Sequence, residues 1–130
     1  MLKQSSGFTR IELAIALLSM GMIAGIAYGS YKASLRQTHQ RDVEAYMTDL
    51  AQQERQYYLD TRSYTRTYGF PGLNDAPPDT VSPYYRITIA LRGARSGFTI
   101  TATPIAGSAQ AGADALSLTS SGRRMPGSDW

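Results

Sequence analysis

At 130 residues with 42% hydrophobic content, the chain can form one small domain, and an apolar run near its start takes so much of that inventory that the remaining core must be modest. The formal net charge of +3 is too small to imply nucleic acid or any other polyanion as a partner by itself. Cysteine is absent, which excludes disulfides, thiolate metal sites and a cysteine nucleophile, although small exported domains are often stapled by disulfides.

The chain opens with a short polar leader, residues 1–7, containing Lys3, and runs on through Gly7-Phe8-Thr9-Arg10-Ile11-Glu12-Leu13. Glu12 stands at the entrance of an apolar run that is uncharged from Leu13 to Tyr31. An ionisable group in a membrane segment is rare unless it has a partner or marks function. Cutting at the Gly7–Phe8 junction frees an amine at Phe8, and that ammonium can pair with Glu12 of a neighbouring subunit, a charge-assisted contact that also sets axial register. An ordinary secretory signal is cut after its apolar region, at small residues. Here the charge and the Gly-Phe junction both come before it; the plainer alternative is a one-pass anchor whose Glu12 sits at the interface.

These residues resemble the class III signal of type IV pilins and type II secretion pseudopilins, whose usual form reads Gly-Phe-Thr-Leu-Ile-Glu-Leu. The resemblance implies that a prepilin peptidase cuts after Gly7 and methylates the new amine of Phe8, while Glu12 stays in the mature chain for assembly with other pilins. It also implies a single-pass inner-membrane protein with its head in the periplasm, taken by an inner-membrane assembly platform into a cell-surface pilus. Arg10 departs from the pattern, standing where the family has leucine, and in an apolar filament core it would need a partner of its own.

From Leu13 to Tyr31, roughly 19 residues at about 1.5 Å each make close to 30 Å of helix, enough to span the hydrocarbon core. Residues 8–31 are therefore expected to be a transmembrane and assembly helix. Gly21, Gly25 and Gly29 recur at spacing four and lay three side-chain-free positions on one stripe, where another helix can approach closely. The alternative is the ordinary enrichment of glycine in membrane helices.

Residues 32–62 turn polar, yet Leu35, Val43, Tyr46, Met47, Leu50, Tyr57 and Tyr58 recur in steps of three, four or their sums. That pattern predicts an amphipathic helix forming the spine of a head. Arg41, Asp42, Glu44, Asp49, Glu54 and Arg55 fall between these positions and are assigned to a solvated face. His39, the only histidine, reads as one more polar helix residue. Anchor and spine are expected to be one continuous helix from Phe8 to about Thr61.

Residues 63–130 form the rest of the head. Gly69, Pro71, Gly72, Asn74, Pro77, Pro78 and Pro83 keep its first part irregular. Tyr57, Tyr58, Tyr64, Tyr68, Tyr84 and Tyr85 either form an aromatic platform or, the simpler reading, most of them tuck their rings against the spine with hydroxyls in water. Tyr85, Ile87, Ile89 and Leu91 alternate with polar or small residues, as do Phe98, Ile100 and Ala102, and Arg92 to Gly97 reads as the hairpin loop between two strands. Ala115 to Ser120 reads as a third strand, with Gly122 in a turn. The expected fold is α+β, a long N-terminal helix packed on a small antiparallel sheet.

The phrases Tyr-Tyr-Leu-Asp-Thr-Arg-Ser-Tyr-Thr, Ile-Thr-Ile, Phe-Thr-Ile-Thr-Ala-Thr-Pro and Leu-Ser-Leu-Thr-Ser-Ser-Gly are similar to those of small minor pilins of the PilE type. Relatives often carry a cysteine pair near the C-terminus; Asp114 and Asp129 occupy those neighbourhoods here. The resemblance implies a minor subunit that supports filament initiation and assembly. A secretion pseudopilin shares the signal, but Asp114 and Asp129 do not make the acidic calcium loop expected of a major one. A competence pilin holding DNA through Arg92, Arg95, Arg123 and Arg124 is the other alternative, against the commoner reading of loop arginines as solvated turn charges. No nucleophile with a base, ligand cluster or phosphate-cradling loop is present, so no catalytic residue, metal or cofactor is expected.

Overall fold

The computed structural model describes residues 7–68, 72–73, 76–94 and 96–127; the expectations placed on Met1 to Ser6, Gly69, Pro71, Asn74, Arg95 and Asp129 lie outside them. Helix α1 runs from Arg10 to Thr61 without a break. Thr9 caps its start, its hydroxyl accepting the N–H of Glu12 at 3.2 Å, so one orphan donor of the first turn is satisfied and the Glu12 carboxylate lies at the favourable end of the helix dipole.

The chain divides into two compact units, the first ending at Leu35 and the second beginning at Arg36. In the first, α1 is long and apolar enough to cross a membrane, and Leu17, Met20, Ile23 and Ile26 are all exposed. Ser19 returns its hydroxyl to the Ile15 carbonyl at 2.9 Å, which removes the cost of a free donor in an apolar stretch. Lys32 holds its ammonium 4.9 Å from the centre of the Tyr28 ring, a cation–π contact where the polar sequence begins. Around Gly21, Gly25 and Gly29 the space that a side chain would enter is open.

In the second unit a four-stranded antiparallel sheet pairs in sequence order: β1 (Tyr85–Arg92), β2 (Gly97–Pro104), β3 (Leu116–Thr119) and β4 (Arg124–Met125). The expectation of three strands is corrected by one. Gly122, at φ 85°, allows the chain to double back after β3, and the Arg124–Met125 pair then adds to it opposite Leu118 and Ser117. Two residues carry too little periodicity to be read as a strand. The register sets Ile89, Ile100 and Leu118 abreast, so strict alternation turns Phe98, Ile100 and Ala102 inward and leaves Thr99, Thr101 and Thr103 on the other face.

Val43, Met47 and Leu50 from α1 meet Phe98, Ile100 and Leu118 from the sheet in one core. Burying each such side chain is worth about 1.5–3 kcal/mol. Steps of three and four along α1 supply this face, and Leu35, Tyr57 and Tyr58 are only half-buried.

Two assignments are corrected by tertiary contacts, and two tyrosines are exceptions to the pattern expected of most. Glu54 is not on a solvated face: it is fully buried, because it continues the Val43–Met47–Leu50 stripe by one more turn. His39 is half-buried and stacks on Tyr84 with ring centres 3.7 Å apart. Tyr85 is buried whole, and the hydroxyl of Tyr68 is buried too, so these two tyrosines do not keep their polar ends in water.

Candidate functional site

Three connections meet where α1 ends. The helix stops without a glycine: Arg62 takes φ 60° while its N–H reaches the Tyr58 carbonyl at 2.7 Å, a left-handed cap that glycine or asparagine would adopt at lower cost. The chain then turns Tyr64 back into a row of rings. Tyr64 stacks on Tyr58 at 4.7 Å and meets Phe98 edge-on at 4.8 Å, which brings the segment after the helix against the start of β2.

The second connection is the β1–β2 hairpin loop beside Phe98. Gly93 and Ala94 both have positive φ, 54° and 55°. A Cβ at Gly93 would fall 2.5 Å from the Ser96 hydroxyl, a contact that turning the serine side chain relieves, so glycine is favoured there by conformation. The third is the β3–β4 turn, joined to the same place by the Ser120 N–H, which donates to the Phe98 carbonyl at 2.9 Å.

These loops present arginines. Arg92, Arg123, Arg62 and Arg66 are exposed on three segments that converge around Phe98. Arg124, expected in a loop, lies instead in β4, half-buried and engaged within the fold, and is the least available of the set. Arg95 lies outside the described residues. Sequence reasoning missed Arg62 and Arg66, although the run Arg62-Ser-Tyr-Thr-Arg66 interleaves bases with an aromatic directly after the last helical turn. Behind Arg123 an open groove of about 820 Å³ crosses the outer sheet face, lined by Thr99, Thr101, Ser117, Arg123 and Pro126 among others. The hydroxyl of Thr99 there is buried without a hydrogen-bond partner.

Under this surface sits Glu54. One carboxylate oxygen accepts the Thr65 N–H at 3.0 Å and the other has no partner. Burial pushes its carboxyl above the usual range, and the Thr65 hydrogen bond offsets this only in part. Tyr68 is raised by burial first, with the neighbouring Tyr46 side chain acting against the shift and the Glu54 charge adding to it. Such an arrangement holds backbone; it has no nucleophile to activate. Among the described residues no three histidine, aspartate or glutamate side chains gather as a metal site would require.

The other expected site residues belong to the first unit. Gly7, Phe8 and Glu12 lie at or before the start of α1, all exposed, and Gly21, Gly25 and Gly29 follow along the helix.

Residues 29–117 match the family described as "Type IV minor pilin ComP, DNA uptake sequence receptor". Among solved structures, a type IV pilin from Shewanella oneidensis is similar at 23% identity and a TM-score of 0.56, over 73% of this chain and 97% of that one, which shows the pilin fold. No curated protein sequence matches.

Proposed function

Because this chain belongs to the family of type IV minor pilins described as ComP, DNA uptake sequence receptor, we propose that it captures DNA on the arginine-bearing end of its head. The family match carries this reading. It reverses the order in which the residues alone rank the alternatives, since loop arginines without a family context are most simply solvated turn charges. The arrangement of the head supports it: three separate connections bring Arg62, Arg66, Arg92 and Arg123 to one end. Guanidinium groups on several loops suit a phosphate backbone, which offers charge at regular intervals and rewards each contact by releasing a counterion.

In this reading the rest of the molecule delivers that end to the cell surface. The peptidase cuts after Gly7 and methylates Phe8, Glu12 pairs with a neighbour's amine, and the Gly21–Gly25–Gly29 stripe packs against other pilins in the filament. Residues 8–31 anchor the chain in the inner membrane until the assembly platform draws it into the pilus, and residues 32–130 remain outside as spine and head. A role in starting or supporting the filament, as in minor pilins of the PilE type, is compatible with the same helix.

Fluorescence anisotropy of labelled duplex DNA with the full chain in detergent micelles tests the proposal. Binding should weaken with salt, and Arg92→Ala and Arg123→Ala should each lower the slope of log affinity against log salt by about 0.9. Wild-type slopes retained in both variants would remove this end of the head from DNA capture.

A further inference from the structure

We propose that Glu54 is a positioning residue for DNA: by holding the Thr65 backbone N–H, it presents Arg66 outward to a phosphate. The inference rests on reading this end of the head as a DNA surface.

A fully buried carboxylate is a poor choice for stability alone. Leu50 and Ala51, one turn earlier on α1, are buried apolar residues, and an apolar side chain at position 54 would complete the same stripe without desolvating a charge. The carboxylate is not paid back by a cation, since its one hydrogen bond among the described residues is to Thr65 and its second oxygen has none. What it does accomplish is local. Between the end of α1 and the bridge of Tyr68 to Leu73, the chain has no helix or strand to satisfy its backbone. Glu54 supplies an acceptor in the middle of that gap.

The consequence for Arg66 follows from chain geometry. Thr65 is buried and Arg66 is exposed, so the two adjacent side chains point to opposite sides. The Thr65 backbone is fixed by Glu54, and the Thr65 hydroxyl accepts the Thr67 N–H at 3.2 Å, so both flanks of Arg66 are tied. On the other side Tyr64 is clamped between Tyr58 and Phe98. With residues 64, 65 and 67 held, the segment is ordered before a ligand arrives, and binding need not order it. Releasing Thr65 would leave Arg66 on a loose loop, where ordering it consumes much of what its phosphate contact contributes.

The test compares Glu54→Met, Glu54→Gln, Arg66→Ala and the double variant Glu54→Met/Arg66→Ala, as full chains in detergent micelles, titrated with labelled duplex DNA across a salt series. Methionine removes the acceptor and keeps the volume, whereas glutamine keeps an acceptor oxygen. Glu54→Met should lose affinity to the same extent as Arg66→Ala, roughly 5- to 10-fold, with the salt slope lower by about 0.9. The double variant should be no worse than either, because both changes remove one contact. Glu54→Gln should bind like the wild type, and Glu54→Met should melt no lower than the wild type, which separates a positioning role from a structural one. If Glu54→Met does not fold, Glu54→Asp, whose shorter side chain withdraws the acceptor, should show the same loss. Wild-type affinity and slope in Glu54→Met, or in that case in Glu54→Asp, overturn the proposal, as do fully additive losses in the double variant. Absence of salt-dependent binding by the wild type would instead overturn the DNA reading on which it rests.

Discussion

Gln110 donates its side-chain amide to the backbone carbonyl of Arg36 at 2.8 Å, and Arg36 answers with its guanidinium, donating to the carbonyls of Ala109, at 3.1 Å, and Ala111. Gln110 and the residues on either side of it are thus all tied to Arg36, more than seventy positions away. The loop they fasten is a series of tight turns, Ser108 N–H to the Ile105 carbonyl, Ala111 to Ser108 and Ala113 to Gln110. It hangs from the end of β2, at the opposite end of the head from the arginine-bearing loops. His39 stacks on Tyr84 at this same end, and the Tyr84 carbonyl accepts the Ile105 N–H at 2.9 Å. In a chain without cysteine, this non-covalent clasp ties the loop to the spine.

Gln110→Ala should therefore cost about 1–3 kcal/mol, because the buried amide is lost together with the packing around it and the Arg36 contacts lose their geometry. Urea denaturation of the full chain in micelles would show it as a lower midpoint. An unchanged midpoint would mean that the loop is held by its own turns.

Leu50 and Ile100 are both fully buried, one on the spine and one on β2, an inner strand of the sheet. Truncating either to alanine should cost about 2–5 kcal/mol through lost burial and the cavity left behind, a large share of a small domain's stability. Arg92→Ala, on the exposed hairpin, should stay within about 0.5 kcal/mol of the wild type. Thermal melting of the three variants side by side checks both halves of this statement, and wild-type melting of Leu50→Ala would contradict the packing of spine on sheet.

Glu54 makes stability depend on pH in a direction set by its burial. The folded carboxyl titrates above the ordinary value of 4.5, so between the two the folded state binds more protons than the unfolded one and stability falls as pH rises. The Glu54 contribution is most favourable below about pH 4.5, where the group is protonated in both states, and declines as pH climbs through the raised folded value. Glu54→Gln removes that decline. Stability measured from pH 4 to pH 7 should drop more steeply in the wild type than in Glu54→Gln, and parallel curves would show that the carboxylate is solvated.

Processing can be read by mass. Membrane-extracted protein should lack residues 1–7 and carry one added methyl at Phe8, while unprocessed chain in assembled filaments would exclude cleavage after Gly7. Glu12→Ala should still be cut and inserted but should enter sheared filaments poorly, since a neutral side chain cannot pair with a neighbour's Phe8 ammonium. Immunoblots of filaments against membranes make that comparison.

What could be read without coordinates was whatever a short window encodes. The apolar run from Leu13 to Tyr31, the three-and-four spacing of Val43, Met47 and Leu50, and the alternation through Phe98, Ile100 and Ala102 each carry their own period, so helix, spine and strands follow from local chemistry. The Gly7–Phe8 junction and the charge of Glu12 before the apolar run are local in the same sense. The tertiary structure alone decided what distant residues do to one another. Glu54 looks like its charged neighbours in the sequence, and only the stripe on which α1 rests against the rest of the head makes it buried. Arg62 and Arg66 belong with Arg92 and Arg123 because the Tyr58–Tyr64–Phe98 ring row draws the end of the helix to the hairpin. The clasp of Arg36 with Gln110 leaves no trace in either segment, because a contact that far apart along the chain exists only once the strands between them have paired.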